Sequence, residues 1–385
     1  VGFKKKLGKH DVYNIEVEKN HNYVIFSENN IPIVVENCHA AIVARELGVP
    51  CIVGAKGATS ILKKGQEITV DATDGSLGRV FFGKVPFEVK EYKLDKLKKL
   101  KTKIMLNIGA PNMAFKASFL PNSGVGLARE EFIVAEKIKV HPLALIHYKN
   151  IKAQITGLKN KKQKKYLQGV VKKIDEITIE HENKKEYFIK ELAEGVGQIA
   201  AAFWPKPVIL RFSDFKTNEY SQLVGGDLFE GKEENPMLGW RGASRYYHPD
   251  FKPAFLMEIE AIKRVRDVFG LDNLQVMIPF CRTVQEGKEV VKIIKGAELR
   301  GLKIYVMCEI PSNVLLVKEF LKVFDGMSIG SNDLSQLVLG IDRDNGTLHK
   351  IGDERNEAVK AMIRQVIKVC KEKKSIEAFA PNQFG

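Results

Sequence analysis

The sequence predicts an α/β protein whose larger part is a (β/α)-barrel. Two observations carry this prediction. From residue 103 onward, short apolar runs alternate with long amphipathic ones, which is the pattern of repeated β–α units. About seven of those runs read as strands, where eight close a barrel. A length of 385 residues leaves room for one or two further domains ahead of it.

The elements follow in order. Over 11–37 the pattern alternates, so VYNIEVE, NYVIFS and IPIVVE read as strands with SENN as a turn. A helix begins near His39 and runs through AAIVARE, with Gly48 and Pro50 as its stop. ITVDATDG and RVFFG read as two strands around DGSLG. The stretch 84–103 is lysine-rich, and its one apolar ridge is Leu94, Leu97 and Leu100. It reads as a linker that could span about 60 Å when extended. The barrel strands are IMLNIG, GVGLAR, VILRFSD, MLGWRG, LQVMIPF, KIYVMCEI and GMSIGSND. Between them the periodicity gives helices over 251–269 and 354–370, the second with Val359, Met362, Ile363, Val366 and Cys370 on its inner face. Trp204, Trp240, Met277 and Met307 read as packing residues.

The net charge is +14, mostly from lysine. The runs NKKQKK and KEKK have no interleaved aromatics to stack on bases, so they read as solvated surface and no nucleic-acid partner is expected. No apolar run approaches the roughly 20 residues of a membrane helix. The opening VGFKKKLGKHD lacks the apolar stretch of a signal peptide. Five cysteines without a CxxC pair fit a reducing compartment, and hence the cytoplasm.

Several residues are placed for chemistry. His39 stands at the first turn of its helix, where free N–H groups and the helix dipole favour an anionic phosphoryl group. Glu309 and Asp333 each follow an apolar strand, which puts both carboxylates at the C-terminal mouth of a barrel. Two hard oxygen donors from neighbouring strands suit Mg2+. Arg129, Arg211 and Arg241 fall at predicted strand ends and offer planar forks for phosphate or carboxylate oxygens, with Arg245 as a weaker fourth. Ser331 and Asn332 begin a helix, where their backbone N–H groups could meet an anion or the side chains could serve as a cap.

The string CHAAIVARELGVPCIVG (38–54) resembles the phosphohistidine loop of the phosphoenolpyruvate synthase and pyruvate phosphate dikinase family. PNSGVGLAREEF, ILRFSDFKTNEY, ENPMLGWRGASRYY, MCEIPSN and IGSNDLSQLVLGIDRD resemble that family's phosphoenolpyruvate-binding barrel, and NEY and RGASRY lean toward the synthase. The resemblance implies a reaction of ATP, pyruvate and water giving AMP, phosphoenolpyruvate and phosphate. His39 would be the phosphoryl carrier, and ATP would act in a nucleotide domain outside this chain. Mg2+ would sit on Glu309 and Asp333, with Arg129, Arg211 and Arg241 as the anion clamp and Ser331, Asn332 and Arg245 as further substrate contacts. A homo-oligomer is compatible with it. The alternatives are a dikinase, which uses phosphate in place of water, and an inactive fragment or splicing by-product.

Directly before Cys38, the segment ending IPIVVEN resembles the C-terminal end of an intein, with Asn37 and Cys38 as the splice junction and His21 as the assisting histidine. Glu36 departs from the histidine common before that asparagine. At the other end the family continues into a strand with a GICGQ-like segment, whose cysteine is the acid for the pyruvate methyl carbon. This chain reads KSIEAFAPNQFG instead. The expected fold is therefore a (β/α)8-type barrel over 104–385 lacking its last strand. It is preceded by an intein remnant over 1–37, a partial β/α phosphohistidine domain over 38–84 and a linker over 85–103.

Overall fold

The computed structural model describes residues 22–26, 32–36, 50–52, 55, 57–72, 78–88, 102–342, 348, 351–373 and 376–380. The chain divides into two compact units, Val1–Leu97 and Lys98–Asn382. The ridge of Leu94, Leu97 and Leu100 lies outside the described residues.

The first unit contains two antiparallel strand pairs. β1 (Asn22–Phe26) pairs with β2 (Pro32–Glu36), with Val24 opposite Val34. β3 (Ile68–Asp71) pairs with β4 (Arg79–Phe82), with Val70 opposite Val80. Thr69 fixes the exit of the second pair. Its hydroxyl donates to the Gly83 carbonyl at 2.8 Å and accepts the Val85 N–H at 3.0 Å.

The second unit is built on a parallel sheet in which every strand neighbours the next in sequence. Its strands are β5 (Leu106–Ile108), β6 (Val125–Arg129), β7 (Val208–Arg211), β8 (Leu274–Ile278), β9 (Ile304–Cys308), β10 (Gly326–Gly330) and β11 (Ile376–Ala380). The sheet curls far enough for Cα atoms of β11 to come within 8 Å of β6. From β6 to β10 both faces of the sheet are largely buried, as is usual for parallel sheets. Val208 and Leu210 of β7, Val276 and Ile278 of β8, and Ile304, Val306 and Cys308 of β9 join the large outer core under the helices. The alternate residues Ile209, Met277, Tyr305 and Met307 join Leu127 in a separate inner cluster. This period-two division is what a strand enforces, because successive side chains leave on opposite faces.

The helices are set by caps as much as by periodicity. α1 (Lys161–Ile177) and α2 (Lys184–Phe203) start at Asn160 and Asn183, whose carbonyl oxygens accept two backbone N–H groups each. α3 (Lys252–Lys263) continues into a wider turn over Arg264–Val268, so the helix predicted over 251–269 is present with a change of pitch. α4 (Val284–Lys295) opens with a capping box. The Thr283 hydroxyl accepts the Glu286 N–H, and the Glu286 carboxylate accepts the Thr283 N–H. α5 (Ser331–Leu339) follows β10 directly, and α6 (Glu357–Glu372) buries Val359, Val366 and Cys370.

Three expectations are corrected. MLGWRG is not a strand: β7 pairs directly with β8, Val208 opposite Leu274. The run turns instead, because Gly242 takes a φ of 61° that ends any extended stretch and starts the short helix Ala243–Tyr246. The segment after 374, from which no strand is expected, forms one, so the sheet has seven strands among the described residues, one short of the eight that close a barrel. Residues 376–380 form β11 beside β10, with Gly326 opposite Ile376. Trp204 is 59% exposed and is no packing residue, whereas Trp240 packs over the Arg245 guanidinium at 4.3 Å.

Candidate active site at the strand ends

Glu309 is the residue after β9 and is 1% exposed. Its Oε1 accepts the Phe280 N–H at 2.6 Å, just past the end of β8. Asn313, fully buried, braces the same corner. Its amide oxygen accepts the N–H groups of Glu309 and Ile310, and its amide nitrogen donates to the Cys281 carbonyl at 2.7 Å. Asp333 lies in the first turn of α5, three residues past β10, and is 5% exposed. Gly330 separates the two strand ends closely. A Cβ there would stand 2.8 Å from the Glu309 carboxylate and 2.9 Å from the Met307 methyl.

The arginines meet these acids. Arg241, 2% exposed, donates through Nε and Nη2 to the two oxygens of Asp214 at 3.0 and 2.7 Å, and through Nη1 to Asp333 at 3.3 Å. Arg211 ends β7. It donates to Glu131 at 2.9 Å and stands 3.2 Å from Asp214. Glu131 also accepts the Asp214 N–H at 2.7 Å, which fixes that loop. Arg129 is the last residue of β6. Arg241 is not at a strand end as predicted; it belongs to the turn that replaces MLGWRG.

The electrostatics are those of a crowded, dry cluster. Burial, then the nearby Asp333 and Asp214 carboxylates, push the Glu309 carboxyl well above its ordinary range, against the pull of Arg241 and Arg211. Burial works against the charge on Arg241, but Asp214 and Asp333 outweigh it and hold the guanidinium above its usual value. Arg211 is held up in the same way, by Glu131 and Asp214. Two carboxylates that repel each other in a buried corner are a site that a hard cation would relieve. Among the described residues no group of three or more metal-ligating side chains occurs.

Of the residues singled out from sequence, Glu309, Asp333, Arg211 and Arg241 come together, and Ser331 and Asn332 begin α5 beside them. Arg245 does not join them. It is fully buried, forks onto Glu230 at 2.8 and 2.7 Å, and has its guanidinium over the rings of Tyr220, Trp240 and Phe251. The same Glu230 accepts from Nε2 of buried His141 at 3.1 Å. Burial pushes the His141 imidazole below its ordinary value. Arg245 is thus a buried ion-pair residue, paired with Glu230 and not with the acids around Glu309. His39, His21, Asn37 and Cys38 lie outside the described residues. Sequence reasoning missed Asp214, Glu131, Asn313 and Phe280. The first two stand in strings already read as significant, and a search for acids within three residues of each arginine would have found them.

A sequence model of the PEP-utilising enzyme family's PEP-binding domain matches residues 88–378, and one of its mobile domain matches 25–75. The second match starts inside the segment read as the intein tail. Among curated relatives, a phosphoenolpyruvate synthase of Aquifex aeolicus is 50% identical over 90% of this chain and 45% of the relative. One from Helicobacter pylori is 50% identical over 87% of this chain and 40% of the relative. One from Aeropyrum pernix is 43% identical over 86% and 38%. The chain therefore spans under half the length of the relatives it matches.

Proposed function

Because this chain belongs to the PEP-utilising enzyme family, we propose that it is the phosphoenolpyruvate- and pyruvate-handling part of a phosphoenolpyruvate synthase. The whole protein would convert ATP, pyruvate and water to AMP, phosphoenolpyruvate and phosphate, with the nucleotide chemistry outside this chain. The observation that carries this reading is the meeting of Glu309 after β9, Asp333 in the first turn of α5 and Arg211 at the end of β7 with Arg241 from the turn before Gly242.

Mg2+ is the cation we assign to Glu309 and Asp333, and when bound it would polarise the pyruvate oxygens and favour the enolate. The chain's own groups do the rest. Arg211 and Arg241, with Arg129 at the end of β6, present guanidinium forks to the phosphoryl oxygens, where charge spreads as the group transfers. For that, the arginines must exchange part of their bonding to Asp214 and Glu131 for the incoming anion. Ser331 and Asn332, at the start of α5, are the proposed contacts for a carboxylate oxygen. His39 is the proposed phosphoryl acceptor and donor.

The test is calorimetric titration of the chain with phosphoenolpyruvate, with and without Mg2+. Binding that needs Mg2+ and is lost in both Glu309→Gln and Asp333→Asn supports the assignment. Equal binding with and without the cation, or no effect of either substitution, overturns it. Transfer of labelled phosphate from phosphoenolpyruvate to His39 would extend the reading from binding to catalysis.

A further inference from the structure

Phe280 holds an unusual position. It follows β8 with a φ of 43°, a left-handed backbone that a side chain with a Cβ seldom adopts. It is 2% exposed. Such an outlier persists only where its surroundings over-determine it, and here they do. Gly242 approaches so closely that a Cβ on it would lie 2.6 Å from the Pro279 carbonyl and 2.7 Å from the Phe280 Cβ. The Ala243 N–H donates to the Pro279 carbonyl at 3.1 Å. Arg282 reaches back from the same turn to the Arg241 carbonyl at 3.3 Å, the Leu238 carbonyl at 3.3 Å and the Gly239 carbonyl.

The strained turn serves both halves of the site. The Phe280 N–H bonds the Glu309 carboxylate at 2.6 Å. The Phe280 ring lies under the Arg241 guanidinium, 4.2 Å from centroid to Cζ, and Arg282 lies over it at 4.7 Å. One residue therefore touches the proposed cation-binding acid through its backbone and the proposed anion clamp through its ring.

We infer that Phe280 is a positioning residue, whose ring face fixes where Arg241 stands relative to Glu309. The inference rests on the function proposed above for what Arg241 does, but the placement of Arg241 can be read without substrate. The attraction is that of a cation for the negative face of an aromatic ring, and it is strengthened because the pair is dry.

The experiment replaces the Phe280 ring by its 3,4,5-trifluorinated form, which keeps the apolar shape but drains the face of its negative potential. The first readout is the solvent-exchange rate of the Arg241 Nε–H by NMR, since that proton is held on Asp214. Exchange should quicken by about tenfold, the loss of a desolvated cation–π contact. Phe280→Tyr, which retains the face, should leave it unchanged. Unaltered Arg241 exchange in the trifluorinated protein overturns the inference, whatever ligand binding does. A parallel titration with phosphoenolpyruvate and Mg2+ separates the two ideas. If the unmodified chain binds none, the proposed function fails while the exchange rate still decides the role of Phe280.

Discussion

Asp214 accepts both bonds of the Arg241 fork and stands 3.2 Å from Arg211, so one carboxylate keeps two buried cations apart. Asp214→Asn removes that charge at constant shape. Breaking a buried pair from one side costs about 3–5 kcal/mol, and a fall of that order in urea-unfolding stability is the expected result. A second buried acid gives a pH signature. Burial pushes the Glu258 carboxyl up to about 8, with Glu130 beside it also raised. Its folded pKa exceeds its unfolded one, so the protonated form favours folding. Its stabilisation is complete below about pH 4.5 and is lost as the pH rises toward 8. The slope is at most about 1.4 kcal/mol per pH unit. Urea midpoints measured between pH 5 and 8 should fall in the native chain and fall less in Glu258→Gln. Glu309 and Asp333 were legible in the sequence because each follows an apolar strand. Phe280 was not, since its role depends on a partner 29 residues away, which no local pattern encodes; Asp214 is marked locally only by its spacing from Arg211, while its bond to Arg241 spans 27 residues.

The turn carrying Arg241 and the start of α4 act as one element. Arg282 donates to the carbonyls of Leu238, Gly239 and Arg241 while its own N–H bonds Glu286, the acid of the α4 capping box. Thr283→Ala should cost about 1 kcal/mol, the usual worth of such a cap, readable as a shift in thermal midpoint. Gly242→Ala should do more local harm. Its φ of 61° and the 2.6 Å approach to the Pro279 carbonyl leave no room for a methyl group. Displacement of the turn should remove phosphoenolpyruvate binding in the calorimetric titration. This element also shows where periodicity misleads. Met237, Leu238 and Trp240 give an apolar stretch that imitates a strand, but the glycines and the arginine bonds bend it. Most of the other strands read from sequence are near-continuous apolar runs, and no glycine with positive φ interrupts them.

At the scale of the molecule, the sheet runs from β5 to β11 without skipping a neighbour. A chain stopped after Lys373 would lack β11 and leave β10 with an unpaired edge, so self-association by light scattering should rise against the full chain. The IEAFA segment is short and mostly apolar, which suits a strand beside β10 although it lacks the family's cysteine. Far from the strand ends, Arg245, Glu230 and His141 form a closed set, with one acid serving two bases inside a cage of aromatic rings. None of the three can change alone without stranding a charge or a ring nitrogen where water does not reach. Across an alignment of related chains, those positions should co-vary, retained as a trio or replaced as a trio by neutral residues, with two-member survivors rare.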